Sequence, residues 1–165
     1  SLDNALASLH SVAIDVPMET FPLEDDGEHF TPSGQLAFQD ALALALKSSI
    51  QSSTVLILAD STIDFLNWSD EGDKYTGWAT HTLKESLAHV GITDAVVDAV
   101  CGSGFRSGAR RGEHFRARLS QHLRAGYRGP VVFVGGWNDA NAAGSLQSVL
   151  AAMKGCDSLV QRYNV

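Results

Sequence analysis

Short apolar runs alternating with stretches of helical periodicity limit what this chain can fold into more than any other feature. The runs fall near residues 11–16, 55–58, 95–100 and 131–134. The second, Val55-Leu56-Ile57-Leu58, has no polar position at all. That is the pattern of a parallel strand covered on both faces, because a strand with one wet side alternates. The first run ends before Pro17.

Between the runs the spacing changes to about 3.6 residues. Thr31-Pro32 reads as an N-cap followed by proline at the first helical position, and Leu36, Phe38, Leu42, Ala45 and Leu46 form the predicted inward stripe. Ala79, Leu83, Leu87 and Val90 mark a second helix, stopped by Gly91. Phe115, Leu119 and Leu123 mark a basic amphipathic helix ending at Gly126. A last helix runs from Leu146 to Tyr163, with a bend expected at Gly155. Strand and helix thus alternate four times, which predicts an α/β chain with a parallel sheet and helices on both faces. With 165 residues and no linker, repeat or low-complexity tract, one domain spanning 1–165 is expected.

Bulk properties remove several function classes. Hydrophobic residues make up 44% and charged ones 19%, which argues against disorder. No apolar run approaches the ~18 residues of a membrane span, and no signal peptide is visible. The opening on Ser1 fits a processed product or an excised domain, and it leaves localisation unread. A net charge of −7 disfavours nucleic acid as a partner. Seven of the eight arginines nonetheless lie between Arg106 and Arg128. They read either as a solvated helix face or as a site for an anionic substrate. Cys101 and Cys156 impose no disulfide framework and are expected to be reduced and non-catalytic. The six histidines show no metal-ligand spacing, so no metal and no cofactor are expected.

Ligands of open α/β sheets bind beyond the carboxyl ends of the strands. Ala59-Asp60-Ser61 follows the run at 55–58, where a hydroxyl can be presented to solvent with its own N–H free to donate. The blander role for that serine is a helix N-cap. Asp26-Gly27-Glu28-His29 places an aspartate three residues before a histidine. A serine nucleophile needs such a base, and the base needs an acceptor to fix its tautomer. Asn138, after Gly135-Gly136, is a carboxamide at a strand tip and can donate to an oxyanion, although Asn-Asp after two glycines is also good turn chemistry. Gly102 or Gly104, after the run at 95–100, can bring a backbone N–H to the same oxygen.

Together these blocks resemble the SGNH (GDSL-like) hydrolase family over roughly residues 11–140. The family's Gly-Asp-Ser block corresponds to Ala59-Asp60-Ser61, its glycine block to Gly102, its Gly-x-Asn-Asp block to Gly136-Trp137-Asn138-Asp139, and its Asp-x-x-His block to Asp26 through His29. The resemblance implies a flavodoxin-like α/β/α sandwich with a central parallel sheet of four to five strands. It implies Ser61 as nucleophile, His29 as base and Asp26 as its orienter. The oxyanion hole would be the N–H groups of Ser61 and Gly102 with the Asn138 side chain. Arg106 and Trp137 are candidate substrate contacts, and Trp68, Trp78 and Phe105 are further aromatic candidates for lining a cleft.

The order departs from the family. Asp-x-x-His comes first here and last there, so the chain reads as circularly permuted, which a sheet tolerates because domain termini tend to lie close together. No run after Tyr163 supplies the strand that the family places before Asp-x-x-His. That strand is lost, cut away, or contributed by a second chain. The implied activity is a serine esterase or acyl hydrolase acting on a small-molecule ester. Two alternatives remain: a catalytically silent ligand- or carbohydrate-binding module on the same fold, and a phosphate- or nucleotide-binding domain using Gly102-Ser103-Gly104. Against the latter, the third glycine, Gly108, falls one position late for Gly-x-Gly-x-x-Gly.

Overall fold

A computed structural model describes residues 14, 16, 20–23, 25, 30–64, 78–106, 114–141 and 145–165. Its elements in chain order are α1 (Pro32–Ser49), β1 (Thr54–Ala59), α2 (Ser61–Asp64), α3 (Trp78–His89), β2 (Asp94–Ala99), α4 (Phe115–Arg124), β3 (Val131–Val134), α5 (Trp137–Asn141) and α6 (Leu146–Arg162). The strands form one parallel sheet in the order β2-β1-β3. The central strand β1 therefore lies between the strand leading to Gly102 and the strand leading to Asn138.

Period-2 alternation splits the sheet's side chains between two cores. Val55, Ile57 and Ala59 face one cluster, with Phe38, Leu42 and Leu46 of α1 and Leu83 and Leu87 of α3. Leu56 and Leu58 face the other, with Phe115, Leu119 and Leu123 of α4 and Cys156 of α6. The architecture is an α/β/α sandwich. Leu56, Ile57 and Leu58 are fully buried, and a Leu58→Ala change would cost about 2–5 kcal/mol.

Local signals act where the sequence places them. Thr31 accepts the Gly34 N–H at 3.1 Å with proline at the start of the helix. Gly91 and Gly126 take φ of +90° and +101° just past their helices. The inward stripe of α1 differs from the prediction. Leu36 is 41% exposed, and Gln35, Phe38, Gln39, Leu42, Ala43 and Leu46 face inward. Gln39 tolerates full burial because Nε2 donates to Ala79 O at 2.8 Å and Oε1 accepts from Thr82 at 2.6 Å, a polar tie between α1 and α3. The helix α6 continues through Gly155 without interruption.

The sheet of the described residues has three strands, not four to five. Of the run at 11–16, Ile14 and Val16 are described, and neither is in a strand. Both pack, partly buried, against the cluster on the α1 side. Their apolar surface is thus removed from water without ladder hydrogen bonds, and the proline at 17 offers no N–H to extend a ladder.

Candidate active site

Three motif blocks meet at the carboxyl ends of the three strands, and buried polar groups join them. Asp60 follows β1 and is fully buried. Its Oδ1 accepts the N–H of Thr62 at 2.9 Å and the Thr62 hydroxyl at 2.6 Å. Its Oδ2 accepts the N–H of Gly136 and Nδ2 of Asn138, each at 3.3 Å. A buried carboxylate is tolerable only with such a full set of donors.

The arrangement changes the bland reading of Ser61. The residue that caps α2 is Asp60, whose side chain takes the Thr62 N–H and whose carbonyl takes the Ile63 N–H at 3.1 Å. Ser61 is left half-buried at the first helical position, where backbone N–H groups have no partner within the helix.

The glycine block turns sharply after β2. Gly102 has φ of +77°, a conformation that favours glycine, and open space where a Cβ would stand. Ser103 is fully buried, its hydroxyl donating to Val100 O at 2.6 Å and its carbonyl accepting from Asn138 Nδ2 at 2.9 Å. Asn138 is therefore bonded to both other blocks, through Ser103 on one side and Asp60 on the other. Next to it, the buried carboxylate of Asp139 accepts the N–H groups of Phe105 at 2.7 Å and Arg106 at 2.8 Å.

Two glycines exist for these carboxylates. A Cβ at Gly104 would stand 2.5 Å from Asp139 Oδ2. A Cβ at Gly135, whose φ is +145°, would collide with the Asp60 carboxylate.

A second polar layer lies beneath. Arg118 of α4 is 3% exposed. Its Nη1 donates to Asp98 O at 2.7 Å and Asp98 Oδ1 at 2.8 Å, and its Nη2 to Ala59 O at 2.9 Å and Ser103 Oγ at 2.8 Å. His122 Nε2 lies 2.8 Å from Asp98 Oδ2. The guanidinium thus clamps the last residue of β1 to the glycine block. By sequence alone this arginine reads as part of a charged run. The signal was available, because 115, 118, 119, 122 and 123 make one helical face and Asp98 is an acid inside an apolar strand.

Asp26 and His29 lie outside the described residues, as does Trp68. The residues flanking the Asp26–His29 stretch are placed: Leu23 and Phe30 form an antiparallel bridge, and Thr31 N donates to Pro22 O at 3.1 Å. Phe30 is buried in the cluster on the α1 side, its ring stacked 5.0 Å from Phe38 and edge-on 5.9 Å from Phe21. Trp137 is 55% exposed at the tip of β3. Arg106 is exposed, with Nη1 donating to Ser148 Oγ at 2.8 Å. Phe105 borders a shallow groove beside Arg106 and is also part of the core. Its ring packs 5.0 Å from Phe115 and 5.2 Å from Phe133, in the core on the α4 side.

Cys156 is buried, and loss of hydration pushes its thiol up to about 12, far from the thiolate a nucleophile needs. Among the described residues no group of histidine, cysteine, aspartate and glutamate is arranged to hold a metal ion. No helix among them is long and apolar enough to cross a membrane. Comparison with known proteins finds no matching family model, no matching curated protein and no matching solved structure.

Proposed function

We propose that the chain is a serine esterase or acyl hydrolase of SGNH type on a circularly permuted, flavodoxin-like sandwich. The observation that carries this reading is the position of Asn138, bonded to Asp60 beside Ser61 and to Ser103 beside Gly102. Nucleophile block, glycine donor and carboxamide are held together by one side chain.

In this mechanism Ser61 Oγ attacks the ester carbonyl and its proton passes to His29, which Asp26 orients. His29 then protonates the departing alcohol, leaving an acyl-enzyme that water hydrolyses by the same relay. The N–H groups of Ser61 and Gly102 and the Asn138 carboxamide receive the oxyanion. The 3.3 Å contact from Asn138 to Asp60 is longer than its 2.9 Å contact to Ser103 O, and the oxyanion displaces it. Trp137 and Arg106 border the substrate. A second chain or a lost segment completes the sheet beyond its three strands.

One observation favours a second reading, a binding module without catalysis on the same fold. Nδ2 of Asn138 is already directed at two protein oxygens.

Labelling with a serine-directed fluorophosphonate, mapped by mass, separates the two. The expected result is one adduct at Ser61, lost in His29→Ala, with turnover of short-chain aryl esters abolished in Ser61→Ala. Asn138→Ala should lower kcat by roughly 10²–10³ with less effect on KM. Absence of the adduct together with undiminished turnover in Ser61→Ala would overturn the reading.

A further inference from the structure

The cluster of arginines noted in the sequence does not form one uniform face. Arg118 turns inward, whereas Arg106 and Arg116 border a shallow groove of about 290 Å³ between α4 and α6. His114 shares that wall, and Ala151, Ala152 and Gly155 of α6 lie opposite. A second depression of about 300 Å³ shares Arg116 and Gly155 and ends at Arg162. No carboxylate is among the described residues that line either depression. Neither Arg116 nor Arg162 is paired with a carboxylate among the described residues. In a chain of net charge −7 this is a local reversal of sign.

Two features orient the donors. His114 caps α4 by accepting the Ala117 N–H on Nδ1 at 3.2 Å, so in the neutral ring the proton sits on Nε2, which becomes a donor. Gly155 is an unfavourable residue for the middle of a helix. A Cβ there would stand 3.3 Å from Cδ and Nε of Arg116, so the glycine lets that side chain lie against the helix.

We infer that this groove is an anion subsite, centred on Arg116 with Arg106 and His114, that takes a phosphate, sulfate or carboxylate group. Arginine's planar fork matches such groups with two parallel hydrogen bonds. The groove begins at Arg106, whose N–H is bonded to the Asp139 carboxylate beside Asn138. The anion is therefore the charged group of the ester handled at Ser61, a step that rests on the hydrolase reading.

The test begins with inorganic phosphate and the intact chain at low ionic strength, followed by amide chemical shifts. Saturable shifts confined to the amides near Arg106, Ala151, Ala152 and Gly155 are expected, also in Ser61→Ala. Arg116→Gln should weaken binding at least tenfold, while Arg124→Gln, at an exposed position of the same helix outside the groove, should not. Shifts that never saturate, or equal weakening by both variants, would overturn the site. Esters with and without a carboxylate then decide whose anion it is. A KM at least tenfold lower for the charged ester, lost in Arg116→Gln and reduced by salt, assigns the groove to the substrate. Equal KM values with phosphate still bound would leave a site for a free anion and overturn that assignment. If no ester is turned over, the hydrolase reading fails, and the phosphate titration still decides the groove.

Discussion

Replacing Arg118 with methionine keeps the volume of the side chain and removes its charge and its forked donors. Four hydrogen bonds of 2.7–2.9 Å disappear, two to Asp98 and one each to Ala59 O and Ser103 Oγ. The stacking of the guanidinium over the Phe115 ring, 5.3 Å from its centroid, disappears with them. These terms do not add, because the same desolvated cation makes them all. Removing one partner of a buried ion pair typically costs ~3–5 kcal/mol. The low end applies here, for two reasons. The Asp98 side chain is 24% exposed and keeps His122 at 2.8 Å. In addition, Arg118 Nε has no hydrogen-bond partner in its buried place among the described residues, a penalty that methionine relieves.

The expected loss is about 3 kcal/mol, equivalent to a Tm lower by roughly 6–12 °C for a domain of this size. Urea unfolding followed by circular dichroism measures it, with an unchanged m-value as the control for two-state behaviour. Arg118→Lys should recover only part of the loss, since a point charge cannot reach Asp98, Ala59 and Ser103 together. In the double variant Asp98→Asn/Arg118→Met the two losses should be less than additive, because each removes the same pair. An Arg118→Met protein within about 1 kcal/mol of the parent would refute the network as a stabilising element.

Gly135→Ala should destabilise the chain by about 2 kcal/mol or more in the same urea assay, because it combines φ of +145° with a collision at the Asp60 carboxylate; parental stability would show that the β3–α5 turn relaxes freely. Burial, reinforced by the charge of Asp94, raises the Tyr127 hydroxyl to about 12. A raised folded value means that its contribution to stability is whole below the unfolded pKa of about 10 and is lost as pH rises through about 12. Urea midpoints should fall over that window, and less steeply in Tyr127→Phe. Cys156, with its thiol pushed up to about 12, should resist iodoacetamide at pH 8 in the folded chain and react on unfolding; rapid modification in the folded chain would contradict its burial.

The strands and helices were legible because their signals are local and redundant. Residues 55–58 carry no polar side chain, Thr31-Pro32 caps and opens a helix, and Gly91 stops one. The errors came where burial is decided by a distant element. Leu36 fits a helical stripe by spacing, yet the buried face of α1 includes Gln35 and Gln39, the latter hydrogen-bonded to α3. Gly155 is a poor helix former by intrinsic propensity and yet lies inside α6. Its reason lies across the groove, in the Arg116 side chain that comes within 3.3 Å of where its Cβ would be. The run at 11–16 has strand composition, but Ile14 and Val16 find their burial without a strand.

The candidate site was half legible for a related reason. In Asp60-Ser61 and in Asn138-Asp139, one neighbour is turned into the protein and the other stands nearer the surface. The motifs point to chemistry at Ser61 and Asn138 and to no role for Asp60 or Asp139. The buried carboxylates determine the local backbone. Each must collect enough N–H donors to offset its lost hydration, and the nearest donors are those of the turns: Thr62 and Gly136 for Asp60, Phe105 and Arg106 for Asp139. Meeting that need brings the β1 turn to the β3 turn, and the glycine block to α5. It also demands glycine at 104 and 135, where a side chain would occupy the carboxylate's place. Ser61 and Gly102 are thereby carried to the same end of the sheet on a frame set by two residues that touch no substrate in the proposed mechanism.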